Sequence, residues 1–211
     1  MKITKFGHCC LLLEIDGVKI LTDPGSFTTE QNTVTGVDAV LITHSHQDHY
    51  HAESVPMIAK NNPGAVFVTN AEVGELLKKE GVTYTKVSDG ESTDIQGVSI
   101  EGFGTKHAEI YGEMGQVENT GYMVAKKFYF PGDNFHNPGK PVDILALPVA
   151  APWLKISEVI TFTKEIKART AFGVHDGMIV KSFRPFVGAA LKMFVPETAY
   201  VALEDGETRE F

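Results

Sequence analysis

Three histidines and an aspartate fall within six residues, His44-Ser-His-Gln-Asp-His49, directly after the apolar run Val37–Thr43. A buried strand that ends in such a cluster restricts the fold, because rigid backbone then aims several ligating groups at one place. On an extended chain alternate side chains face the same way, so His44 and His46 can grip one metal ion. Asp48 and His49 come as the chain turns away, and can hold a second. Imidazole and carboxylate suit zinc, with manganese or iron as alternatives.

The rest of the chain excludes several other classes. Its 211 residues are enough for one domain, read as 1–211, and 43% hydrophobic with 22% charged residues rules out a disordered chain. The longest apolar stretch, Ile144–Leu154, has 11 residues and carries Pro148 and Pro152, whereas a membrane span needs roughly 18 or more. The early apolar run is cut by Glu14 and Asp16 and does not read as a signal peptide. Adjacent Cys9 and Cys10 cannot form a disulfide framework and are read as packing residues on opposite faces of a strand. A cytoplasmic location is expected. A net charge of −8 argues against a nucleic-acid partner.

Hydrophobic periodicity predicts strands at Cys9–Ile15 and Val18–Thr22, joined by an Asp16-Gly17 hairpin turn. Further strands are expected at 37–43, 65–69, 98–103, 121–125, 128–130, 143–147, 171–174 and 199–203. Helices are expected over 70–81, where Asn70 caps and Lys78 and Lys79 precede Gly81, over 157–168, and over 183–193. Strands grouped early and in the middle, with helices between, fit two packed sheets flanked by helices.

Thr43-His-Ser-His-Gln-Asp-His49 resembles the HxHxDH signature of the metallo-β-lactamase fold, a superfamily of mostly binuclear metal hydrolases. Other pieces follow in order: His107 in Gly104-Thr-Lys-His107, Asp133 in Phe130-Pro-Gly-Asp133, and His175 in Phe172-Gly-Val-His175. The resemblance implies an α/β fold, a four-layer αββα sandwich. It places His44, His46 and His107 on a first metal and Asp48, His49 and His175 on a second, with Asp133 between them. Gly7-His8 and Thr22-Asp23-Pro24 resemble the branch that includes ascorbate-6-phosphate lactonase. True β-lactamases of the family commonly carry cysteine where Asp133 stands, and flavodiiron oxidoreductases typically carry Glu where His46 stands. Antibiotic hydrolysis and electron transfer are therefore disfavoured.

What the resemblance implies is hydrolysis by a hydroxide that two divalent ions generate and share, attacking a carbonyl carbon or phosphorus. Asp48 and Asp133 are the candidate catalytic carboxylates. The bond would be an ester, lactone or phosphoester in a small anionic molecule. Candidate neighbours of the site are His8, Asp23, His136, Trp153, Lys181 and Arg184, while His51 is read as a surface residue or a support behind the ligands rather than a ligand. Residues 151 to 195 carry a local excess of four basic charges, with Lys181 and Arg184 nearest His175 in sequence. Relatives in this branch assemble, which is compatible with a homo-oligomer. Rival readings are a nuclease or phosphodiesterase of the same fold, a di-iron oxidoreductase, and a non-catalytic metal-binding sensor.

Overall fold

The computed structural model describes residues 1–211 and contains two seven-stranded sheets with four helices. The first sheet is built from β1 (Lys2–Gly7), β2 (Cys10–Ile15), β3 (Val18–Thr22), β4 (Ala39–Ile42), β5 (Val66–Thr69) and β6 (Tyr84–Lys86). The second contains β7 (Ser92–Ile95), β8 (Val98–Phe103), β9 (Gly121–Val124), β10 (Phe128–Phe130), β11 (Ile144–Pro148), β12 (Thr170–Val174) and β13 (Ala199–Val201). The last strand, β14 (Thr208–Glu210), returns to the first sheet beside β1.

Both sheets follow one plan. Antiparallel strands come first, and three parallel neighbours are added after them: β4, β5 and β6 beside β3, and β11, β12 and β13 beside β10. Each parallel step needs a crossover, and the helices supply several of them. α1 (Ser54–Asn61) links β4 to β5, and α2 (Ala71–Lys79) links β5 to β6. α3 (Ile156–Ile166) links β11 to β12, and α4 (Arg184–Phe194) links β12 to β13.

Three apolar layers hold this arrangement. Between the sheets, Ile3, Leu11, Ile20 and Leu41 pack with Ile100, Tyr122, Phe130 and Phe172. α1 and α2 cover the first sheet with Val55, Ile58, Val73 and Leu77 against Leu21, Val40 and Ile42. α3 and α4 cover the second with Val159, Phe162, Val187 and Leu191 against Leu145 and Leu147. The result is the four-layer αββα sandwich. Cys9 sits in the layer between the sheets and Cys10 in the helix-facing layer, as opposite faces require.

The hairpin turn at Asp16-Gly17 has positive φ at both residues, 51° and 86°, the twist a two-residue hairpin needs. Asn70 caps α2 through its side-chain oxygen, which accepts from Val73 N at 3.1 Å. Five elements go beyond the sequence pattern. β1 precedes the first expected strand, α1 spans only eight residues, and the short edge strands β6, β7 and β14 are partly or fully exposed. No helix is long and apolar enough to cross a membrane.

Candidate metal centre

Every expected ligand lies just beyond a strand end. His44 follows β4, His107 follows β8, Asp133 follows β10 and His175 follows β12, on one edge of the sandwich. His46, Asp48 and His49 come from the turn after β4, and His8 follows β1. Parallel sheets gather such residues where their C-terminal loops emerge. The ligand atoms of His44, His46 and His107 lie within 4.8 Å of one another, as do those of His8, Asp48, His49 and His175. Asp133 spans both groups. Its Oδ1 is 3.2 Å from His49 Nε2, and its Oδ2 is 3.4 Å from His107 Nε2 and 2.9 Å from His175 Nε2.

The outward-facing nitrogen of each buried imidazole is tied down. His107 Nδ1 donates to the Ala108 carbonyl and His175 Nδ1 to the Ala150 carbonyl, each at 2.5 Å. A carbonyl only accepts, so both Nδ1 atoms carry the proton. His49 Nδ1 donates to Asp23 Oδ2 at 2.6 Å. Thr43 Oγ1 gives its proton to the same carboxylate oxygen at 2.7 Å, leaving its own oxygen to accept from His44 Nδ1 at 3.0 Å. In the neutral imidazoles of His44, His49, His107 and His175 the Nε2 atoms therefore carry no proton. All four are buried and have no hydrogen-bond partner, and Asp133 Oδ1 shares that condition.

Charge in the cluster follows from the same contacts. Burial holds His44 well below the ordinary imidazole range, and holds His46 below it too. Burial opposes ionisation of Asp133, yet His49 and His175 outweigh it and keep the carboxyl well below the usual range. Burial also opposes a charge on His175, but Asp133 and Asp48 together raise it to about 9. The carboxylates thus draw positive charge toward the space the Nε2 atoms surround.

The turn is shaped by close backbone contact. A Cβ on Gly25 would stand 1.8 Å from the Asp48 carbonyl oxygen, so only glycine lets the loop after β3 lie against the Asp48 turn. Gly132 has φ of 65°, and a Cβ there would meet Asn119 Oδ1 at 2.3 Å. That Asn119 oxygen accepts from Asp133 N at 2.9 Å, and Asn119 Nδ2 donates to Pro131 O at 2.9 Å. Neither Asn119 nor Thr43 stands out in the sequence, because nothing local marks their partners.

The flanking candidates divide into two groups. His8 accepts from Gly177 N through Nδ1 at 3.2 Å, so its Nε2 bears the proton and donates to Asp48 Oδ2 at 3.1 Å. Asp23 braces His49, and Trp153 Nε1 donates to Asp133 Oδ2 at 2.8 Å. Lys181 is exposed and shares with His8 a cavity of about 490 Å³. Arg184 also lines that cavity, but its guanidinium is engaged by Asp176 at 3.3 Å and Asp205 at 3.0 Å. His136 rests against Gly104, outside the cluster, and His51 turns to Ser54 Oγ at 2.9 Å, at the start of α1.

Comparison with known proteins places these features in a family. The beta-lactamase superfamily domain matches residues 2–175. Protein Rv0786c of Mycobacterium tuberculosis is 33% identical over 189 residues, which cover 87% of this chain and 88% of that protein. A UPF0173 metal-dependent hydrolase of Thermoplasma acidophilum is 27% identical over 192 residues, 83% of each chain. Among solved structures, the metallo hydrolase Igni18 of Ignicoccus hospitalis superposes with a TM-score of 0.77 at 22% identity, covering 100% of this chain and 98% of that one.

Proposed function

The chain belongs to the beta-lactamase superfamily and to its metal-dependent hydrolases, and from that premise we propose that it cleaves an ester, lactone or phosphoester bond in a small anionic molecule at a centre of two divalent ions. The supporting observation is the set of four buried Nε2 atoms without partners. Leaving a polar atom buried and unpaired costs roughly 1–3 kcal/mol, so several converging ones mark a place that a cation fills. His44, His46 and His107 would hold one ion, and Asp48, His49 and His175 the other, with Asp133 reaching both. Three imidazoles on one side and two with a carboxylate on the other suit zinc, with manganese or iron as alternatives.

Divalent ions bound here would acidify water into the neutral range and polarise a carbonyl or phosphoryl oxygen. The protein's own groups do the rest. Trp153 and Asn119 fix Asp133 from the side chain and the backbone respectively. His8 orients Asp48 by donating to it. Asp48 is the more open of the two candidate catalytic carboxylates, its side chain 13% exposed against 4% for Asp133. Lys181, exposed beside His8, supplies the positive charge for an anionic substrate.

Metal analysis after reconstitution is expected to give two ions per chain, and fewer than one would overturn the reading. A panel of lactones, phosphodiesters and thioesters is expected to yield turnover with one bond class, abolished by chelation. Asp23→Asn offers a finer check. An amide in place of Asp23 turns a donor either toward both His49 Nδ1 and Thr43 Oγ1, which now donate to Oδ2, or toward Thr43 N, which now donates to Oδ1. Competition with a chromogenic chelator should show metal affinity lowered about 10- to 100-fold.

A further inference from the structure

Beside the metal-centre residues runs a groove of about 410 Å³ in which ten of eleven lining residues are hydrophobic. We infer that it receives an acyl, alkyl or aryl group of the substrate, so that the molecule cleaved is amphiphilic. The inference rests on the hydrolase reading above and narrows its substrate class.

Two loops make the groove. One is the segment after β11, with Ala150 and Leu154; the other is the segment after β12, with Met178 and Phe183, running into Phe186 of α4. β11 and β12 are parallel neighbours, so both loops leave the end of the sheet that carries His175. Single residues link the groove to the groups that support the site. Ala150 lines it and also accepts the hydrogen bond from His175 Nδ1. Trp153, in the same loop, donates to Asp133. Ile179 lines both the groove and the cavity that holds His8 and Lys181. An apolar compartment and a polar one thus meet along the segment that follows His175.

The exposure is of the kind that asks for an occupant. Met178 is 47% exposed, Phe183 and Phe186 49% each, and the two phenylalanine rings stack at 4.9 Å. Clustered exposed apolar side chains around a concavity mark a binding surface, and the volume lies in the range of small-molecule pockets. No charged side chain lines the groove. A charged substituent would be desolvated there without a partner, whereas an apolar one is favoured. The anionic part of the same molecule belongs on the Lys181 side.

Two probe series test this. n-Alkylphosphonates from methyl to octyl are titrated calorimetrically into zinc-loaded protein, and 1-alkanols from ethanol to octanol into protein stripped of metal. Affinity in both series should tighten roughly fourfold per added methylene until the groove is filled. Phe186→Asp and Met178→Asp, both at exposed positions, should each flatten that slope while leaving methylphosphonate affinity unchanged. Affinity indifferent to chain length in both series overturns the proposal, as does a slope that neither substitution alters. A dimer that Phe186→Asp dissociates, with affinity still indifferent to chain length, overturns it in favour of an interface between copies. Failure of the metal-centre reading shows separately, as methylphosphonate that does not bind zinc-loaded protein; an alkanol slope that persists then still supports the groove.

Discussion

Asp133→Ala is expected to lower turnover by at least about 10³-fold, the equivalent of ~4 kcal/mol of transition-state stabilisation. The size follows from position. Asp133 is the one carboxylate whose two oxygens face both ligand groups, Oδ1 toward His49 and Oδ2 toward His107 and His175. At the proposed two-ion centre, losing it would remove an anionic ligand from both ions at once, whereas losing His46 would touch only one group. Bound metal should fall from two ions per chain to one or fewer, measured by elemental analysis of the reconstituted variant. Asp133→Asn separates charge from shape. The amide retains the backbone arrangement at Asn119 and Gly132 but offers no full negative charge, so it should hold the fold and still lose most of the metal and activity. Full activity with full metal content in either variant would defeat the assignment of Asp133.

The same site shows which physical links are legible in a sequence and which are not. His44, His46, Asp48 and His49 can be read because one strand and one turn carry them, so spacing alone fixes their directions. His107, Asp133 and His175 come from three other strands, and only resemblance to a family connects them to the first group. The supports behind the ligands are harder still. Asn119 braces Asp133 from 14 residues away, and Ala150 meets His175 across 25, in each case through a backbone atom that no residue type advertises. The fold follows the same division. The continuous apolar runs of β4, β11 and β12 are fully buried and announce themselves. β14 is Thr-Arg-Glu, exposed throughout, and pairs only because β1 offers an open edge. β1 alternates correctly at Ile3, Lys5 and Gly7, but a lysine at a core-facing position disguises the pattern.

That lysine gives the second large effect. Lys5→Met is expected to destabilise the fold by about 3–5 kcal/mol, the usual consequence of removing one partner from a buried ion pair. Lys5 is fully buried, and its Nζ donates to Asp176 Oδ2 at 2.7 Å, to Gly173 O at 3.0 Å and to Leu203 O at 3.4 Å. It stands on β1 of the first sheet, while its partners lie along and beyond β12 and β13 of the second, so one ammonium group ties the two sheets together at the end that bears the site. Without it the Asp176 carboxylate stays buried with Oδ1 unpartnered and only Arg184, at 3.3 Å, left to offset its charge. Burial already pushes the Asp176 carboxyl above its usual range in spite of Lys5. The midpoint of thermal unfolding should therefore drop by roughly 6–20 °C for a chain of this size. Lys5→Met combined with Asp176→Leu should recover most of the loss, because an apolar pair of similar volume carries no desolvated charge. Activity separates the two roles. Asp176 follows His175, whose φ of 58° is a left-handed conformation that a non-glycine residue adopts only under constraint from its surroundings. The double variant should regain stability while metal affinity stays reduced, since the polar clamp that holds the His175 turn is gone. A double variant with both wild-type stability and wild-type metal affinity would show instead that Lys5 serves packing alone.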